Sequence, residues 1–170
     1  MLPVSRRLFM GGTLATLAAA GNGSPSMAPG APSLALATAW RNIDPLTWEF
    51  DLRQNVKFHD GSAFTADDVI ATLERVPKVP NSPNPFTQFT RSISVTEKLG
   101  DHKIRFKTAT PAPTLPSDLA RVFIISRKHV AASTADFNAG ASGAAIGTGP
   151  YKVAEWTNGQ VLVLNRNDAY

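Results

Sequence analysis

Residues 47–69 read Thr-Trp-Glu-Phe-Asp-Leu-Arg-Gln-Asn-Val-Lys-Phe-His-Asp-Gly-Ser-Ala-Phe-Thr-Ala-Asp-Asp-Val, and they decide the fold. Trp48, Phe50 and Leu52 alternate with Glu49, Asp51 and Arg53. At a strand's period of two, this puts an apolar row on one sheet face and a charged row on the other. A second short strand follows, and His59-Asp60-Gly61-Ser62 supplies turn chemistry. Thr65 with Asp68 three residues on resembles a capping box, and Asp67 and Asp68 both suit the positive end of a helix dipole. The helix is expected over residues 66–75, with Val69, Ile70 and Leu73 on its core face and Pro77 and Pro80 ending it. Adjacent helical residues point in different directions, so Asp67 and Asp68 are read as capping groups, not as a catalytic pair.

Outward from this stretch, residues 34–40 are expected as the first strand, paired with 47–53 across Asp44-Pro45. A proline-rich loop over 79–85 leads to a helical turn at 86–91. Residues 93–98 and 103–108 alternate and are joined by Leu99-Gly100-Asp101-His102, the spacing of a hairpin. Pro111, Pro113 and Pro116 bracket a short turn or helix reaching Ala120. The apolar run 122–125 predicts a buried strand, 127–132 the start of another helix, and 138–147 a loop. The end of the chain, from Gly147-Thr148-Gly149-Pro150-Tyr151 to Arg166, reads as strand, Asn158-Gly159 turn and strand, and is expected to pack with the Trp48 sheet.

At the N-terminus, Ser5-Arg6-Arg7-Leu8-Phe9 precedes a weakly apolar, Gly- and Ala-rich run ending at Ala18-Ala19-Ala20. Residues 1–20 read as an export signal of the twin-arginine type, the alternative being a Sec-type signal that carries two arginines. The run is too short for a membrane span, which needs about 20 apolar residues. Residues 21–33, rich in Gly, Ser, Pro and Ala, read as a flexible linker.

The composition, 43% hydrophobic and 18% charged, is that of a globular domain. The net charge of +4 falls to +2 without Arg6 and Arg7, which gives nucleic-acid binding no support. The absence of cysteine leaves no disulfide framework, redox dithiol or lipidated cysteine, so a freely diffusing periplasmic protein is expected. His59, His102 and His129 lack metal-ligand spacing and read as solvent-exposed turn residues. The chain has neither Gly-x-Ser-x-Gly nor Ser-x-x-Lys. In Gly147-Thr148-Gly149-Pro150, proline removes an amide donor and a strand follows, so a strand entry is read there, not a phosphate loop. No enzymatic activity and no cofactor are expected.

Ala37, Asp44, Thr47, Trp48, Phe50, Leu52, Arg53, Val56, Lys57 and Phe58 run in the order of the signature of the ABC importers' extracytoplasmic solute-binding proteins, family 5. The segment resembles these dipeptide, oligopeptide and nickel binders, departing at Gln54 and at Asp44-Pro45. The Gly-Thr-Gly-Pro-Tyr-Lys strand at 147–152 and the ending Asn165 to Tyr170 resemble the same family, so the likeness spans about 34–170. It implies an α/β, class II periplasmic-binding-protein-like fold, truncated to part of the N-terminal lobe with a mixed, largely antiparallel sheet. It further implies a periplasmic component of an ABC importer for peptides or similar small solutes. Its partners would be the solute, the permease complex in the inner membrane and the twin-arginine export machinery. By the same resemblance Ser82, Pro83, Asn84 and Phe86 would face the ligand, Asn84 standing where relatives carry an aromatic; the alternative is an ordinary surface loop. Family members close two lobes on their solute, so this region alone is expected to bind weakly or not at all. The competing reading is a remnant, or a small periplasmic interaction module without solute binding.

Overall fold

A computed structural model describes residues 36–80, 85–139, 146–157 and 159–170. The expected signal at 1–20, the linker at 21–33, and Ser82, Pro83 and Asn84 lie outside the described residues.

Strand β1, Ala37–Asp44, pairs antiparallel with β2, Thr47–Leu52, with Trp40 opposite Phe50 and Arg41 opposite Glu49. Among the described residues the strand begins at Ala37 and runs on past the expected end at Trp40 to Asp44. Its turn is closed by Asp44 Oδ1, which accepts the Leu46 N–H at 2.8 Å. Strands β3, Ile93–Gly100, and β4, Lys103–Thr108, form the expected hairpin. β4 also lies antiparallel against β2, giving one four-stranded sheet in the order β1-β2-β4-β3.

The alternation in β2 does what its period predicts. Phe50 and Leu52 are buried with Ile104 and Phe106 of β4 on one face, Phe50 meeting Phe106 edge-on at 5.4 Å. Helix α1, Ala66–Arg75, and the short α3, Leu115–Leu119, cover that face through Val69, Leu115 and Leu119. Between β2 and α1 the expected second strand is only a single bridge, Lys57 to Ala63. Gly61 turns this segment at φ +81°, a left-handed conformation that glycine adopts without steric cost. The turn swings Phe58 and Phe64 into edge-to-face contact at 6.3 Å inside the core.

Asp68 is the joint of the helical layer. Its Oδ2 accepts the Thr65 N–H at 2.9 Å, the reciprocal half of the capping box. Its Oδ1 accepts the Arg127 N–H at 2.8 Å. Asp67 does not cap as expected. It pairs with Lys98 at 2.9 Å and Arg127 at 2.7 Å.

Residues 122–125 are not the expected strand. Val122 and Ile124 are buried and Phe123 is turned outward, but the segment joins no sheet. The Ile125 N–H donates to Thr72 Oγ1 of α1 at 3.1 Å, and the next hydrogen bond goes to Asp68. At Ile125 and Arg127, side chains of α1 thus satisfy backbone groups that a neighbouring strand would otherwise pair. Beyond it, the expected helix at 127–132 is one 3-10 turn, Arg127–His129. Helix α4, Thr134–Ala139, forms where no helix was expected, started by Ser133, whose Oγ accepts the Asp136 N–H at 3.1 Å. Helix α2, Thr87–Thr90, is the expected turn after the proline-rich loop.

The terminal strands β5, Tyr151–Thr157, and β6, Val161–Arg166, form a separate two-stranded sheet. It meets the lobe of the Trp48 sheet through the segment that precedes it, not through a shared core. Among the described residues, neither strand contributes to the buried cluster, although Ile146 just before them packs on it.

Candidate functional site

Of the four residues nominated for ligand contact, Phe86 is described, and it sits in an aromatic shelf. Its ring lies 6.3 Å from Phe89 and 6.2 Å from Phe123, the latter edge-on at 88°. The shelf follows from three local causes. The Phe89 N–H donates to the Phe86 carbonyl at 2.9 Å, which sets the two rings on one side of the first turn of α2. Val122 and Ile124 point into the core, so alternation sends Phe123 outward to meet Phe86. The Arg121 guanidinium lies 5.6 Å from the centroid of Phe89, within range of cation–π attraction.

Phe86 and Phe123 are each 39% exposed while Phe89 packs on the core. A firmly based aromatic surface with a cation at its rim can stack an apolar or aromatic group and hold a carboxylate beside it. Sequence reasoning nominated Phe86 but missed Phe123 and Arg121. The only available signal was the alternation at 122–124.

A groove of about 360 Å³ lies at the C-terminal end of α1, lined in part by Glu74, Arg75, Lys78, Pro80 and Ser133. Its arginine is already committed. Arg75 donates to the Val130 and Ala132 carbonyls at 3.0 Å each and stacks 4.5 Å over Phe137.

The outer face of the sheet carries a ladder of charge. Glu49 accepts from Arg41 at 2.7 Å and from Arg105 at 2.7 Å, with Lys103 at 3.3 Å. Glu97 extends the ladder to Arg105 at 3.3 Å and Lys107 at 2.6 Å. The Glu49 side chain is only 8% exposed, and hydrogen bonds first from Arg105 and then from Arg41 hold its carboxyl down to about 2. Register places these groups, since Arg41, Glu49, Arg105 and Glu97 are successive cross-strand partners.

The histidines are not the solvent-exposed turn residues expected, because all three are half-buried. His129 lies 3.8 Å from Asp60, while Asp60 closes its own turn by accepting from Ser62 at 2.9 and 2.6 Å. Those two bonds, the hydroxyl of Ser62 first, lower the Asp60 carboxyl below its usual range. His59 spans to the distant strand entry. The Gly147 N–H donates to its Nδ1 at 3.2 Å, and its Nε2 lies 3.0 Å from the Gly149 carbonyl. Nothing in the local turn pattern announces a contact across 88 residues. Among the described residues no group of three or more His, Cys, Asp or Glu is arranged to hold a metal ion, and no helix is long and apolar enough to cross a membrane.

Known proteins agree with this architecture. The probable D,D-dipeptide-binding periplasmic protein DdpA of Escherichia coli is 31% identical over 142 residues, covering 79% of this chain and 26% of its own length. The oligopeptide-binding protein AppA of Bacillus subtilis, solved with a nonapeptide, superposes with a TM-score of 0.67 at 29% identity over 79% of this chain and 28% of its own. NikZ of Campylobacter jejuni, solved with Ni(L-His), gives 0.66 at 28% identity over 79% and 27%. The chain therefore spans about a quarter of the length of the curated relatives it matches. The periplasmic-binding-protein fold is present here in part, with a mixed and largely antiparallel sheet. Residues 31–170 match the profile of the bacterial extracellular solute-binding proteins, family 5 (Middle), and the chain belongs to that family.

Proposed function

We propose that this chain serves in the solute-binding component of an ABC importer for peptides or similar small solutes, exported to the periplasm through a twin-arginine signal, and that it recognises without catalysing. The observation that carries this reading is the family match over residues 31–170, supported by relatives named for dipeptide and oligopeptide binding. The shelf of Phe86, Phe123 and Arg121 is the solute-facing surface in this reading, with Ser82, Pro83 and Asn84 preceding it in sequence. Its rings would stack a peptide side chain, and Arg121 would take a carboxylate.

An open shelf covers one side of a ligand, whereas small-molecule sites bury about 70–90% of theirs. Affinity of the chain alone is therefore expected to be weaker than micromolar. Titrating the labelled chain with dipeptide and oligopeptide pools, followed by amide and aromatic NMR shifts, should perturb Phe86, Phe89, Arg121 and Phe123 selectively, and Phe86→Ala should abolish the response. Micromolar affinity, or shifts confined to other surfaces, would overturn this account of recognition.

A further inference from the structure

We propose that His59 is a positioning residue that sets the β5–β6 hairpin against the four-stranded lobe, acting as a neutral, Nε2-protonated imidazole. This role stands whether or not the chain binds a peptide.

Three bonds join His59 to the strand entry. Its backbone N–H donates to the Gly147 carbonyl at 2.8 Å, and the Gly147 N–H donates back to Nδ1 at 3.2 Å. The third links Nε2 to the Gly149 carbonyl at 3.0 Å. A backbone amide can only donate and a carbonyl can only accept, so Nδ1 must be bare and Nε2 must carry the proton. The same Gly149 oxygen accepts the Asn167 Nδ2–H at 3.1 Å, and the Asn167 N–H donates to the Pro150 carbonyl at 2.7 Å. Asn167, buried just past β6, therefore closes the base of the hairpin on the atom that His59 grips.

Among the described residues, the hairpin strands place no side chain in the buried core that could fix their direction. Tyr151 is 59% exposed, Val161, Val163 and Leu164 are also exposed, and the hairpin strands stay outside the core cluster. An isolated two-stranded ribbon is marginal in water. The orientation of residues 151–166 thus depends on the segment 146–150, and that segment depends on the His59 ring.

The test uses the full 170-residue chain. Long-range proton–nitrogen NMR of the imidazole should show His59 in the Nε2–H tautomer. His59→Ala should speed amide exchange at Gly147 and through β5 and β6 about tenfold or more, while Phe50 and Ile104 keep their protection. His59→Gln, whose amide offers one donor and one acceptor at similar spacing, should restore most of the lost protection. An Nδ1–H tautomer, unchanged exchange at 147–166 in His59→Ala, or equal acceleration through the four-stranded sheet would overturn the proposal. So would a Gln variant no better than Ala. Should the Ala variant fail to fold, the tautomer and the Gln variant decide the matter.

Discussion

Replacing Glu49 by Gln removes the hub of the outer-face ladder and leaves Arg41, Lys103 and Arg105 around a neutral amide. The Glu49 carboxyl sits at about 2 in the fold against 4.5 for an unperturbed glutamate. At 1.36 kcal/mol per unit, that separation sets an upper bound of about 3 kcal/mol on its contribution. The partner side chains are 33–52% exposed, so solvent screens the pairing and about 1–2 kcal/mol is the expected loss at neutral pH.

The sign follows from linkage. A carboxyl whose value is lowered by folding stabilises the protein above its unfolded value, and that contribution fades as pH falls from about 4.5 towards about 2. Urea unfolding of the wild type and Glu49→Gln at pH 7, 5, 4 and 3 should show a gap that is full at pH 7 and shrinks through the lower two points. High salt should narrow it at pH 7. Equal stabilities at pH 7, or a gap that stays constant to pH 3, would refute the reasoning.

Two further substitutions probe the core side of the sheet. Asp68→Ala strips the cap from Thr65 and leaves the Arg127 N–H without its acceptor, and urea unfolding should report a loss of about 2–4 kcal/mol; a loss below about 1 kcal/mol would show that water replaces both bonds. Phe106→Ala empties the centre of the β2–β4 face, where Phe50 meets it edge-on, and should cost about 3–5 kcal/mol by the same assay, with the thermal midpoint falling in step.

Local pattern fixed much of this fold. The alternation at 48–53, the hairpin spacing over 93–108 and the helix start at Thr65 all depend on neighbours within a few residues, and each forms as its period requires. What could not be read was non-local. That β2 and β4 are neighbours follows from packing Phe50 on Phe106, 56 positions apart in sequence. Residues 122–125 carry a strand's apolar run, yet Thr72 of α1 bonds the backbone of Ile125 and Asp68 takes the Arg127 N–H just beyond, and no pattern in the segment itself reveals that competition. Helix α4 did have a visible start, Ser133 three residues before Asp136, but few apolar residues follow to make it stand out. In the candidate site, Phe86 was legible from its loop, whereas Phe123 and Arg121 reach it only through the same extended segment.

The two stretches that carried the family resemblance turn out to be the two halves of one physical joint. The first contributes His59 from the turn after Phe58, and the second contributes Gly147 and Gly149 from the strand entry before Tyr151. A histidine in a polar turn and a glycine-rich strand entry each have an adequate local explanation, so neither alone argues for long-range contact. Brought together, they account for features that local reasoning leaves idle. His59 must be an acceptor on one side and a donor on the other, and the entry must present an amide at Gly147 and a carbonyl at Gly149 to match. In this chain the two stretches therefore meet in one geometry, in which a lobe with its own core holds a hairpin without one. On this view, mutations at the joint should separate the two bodies without unfolding the first, whereas mutations at Phe106 or Asp68 should unfold the lobe and release the hairpin with it.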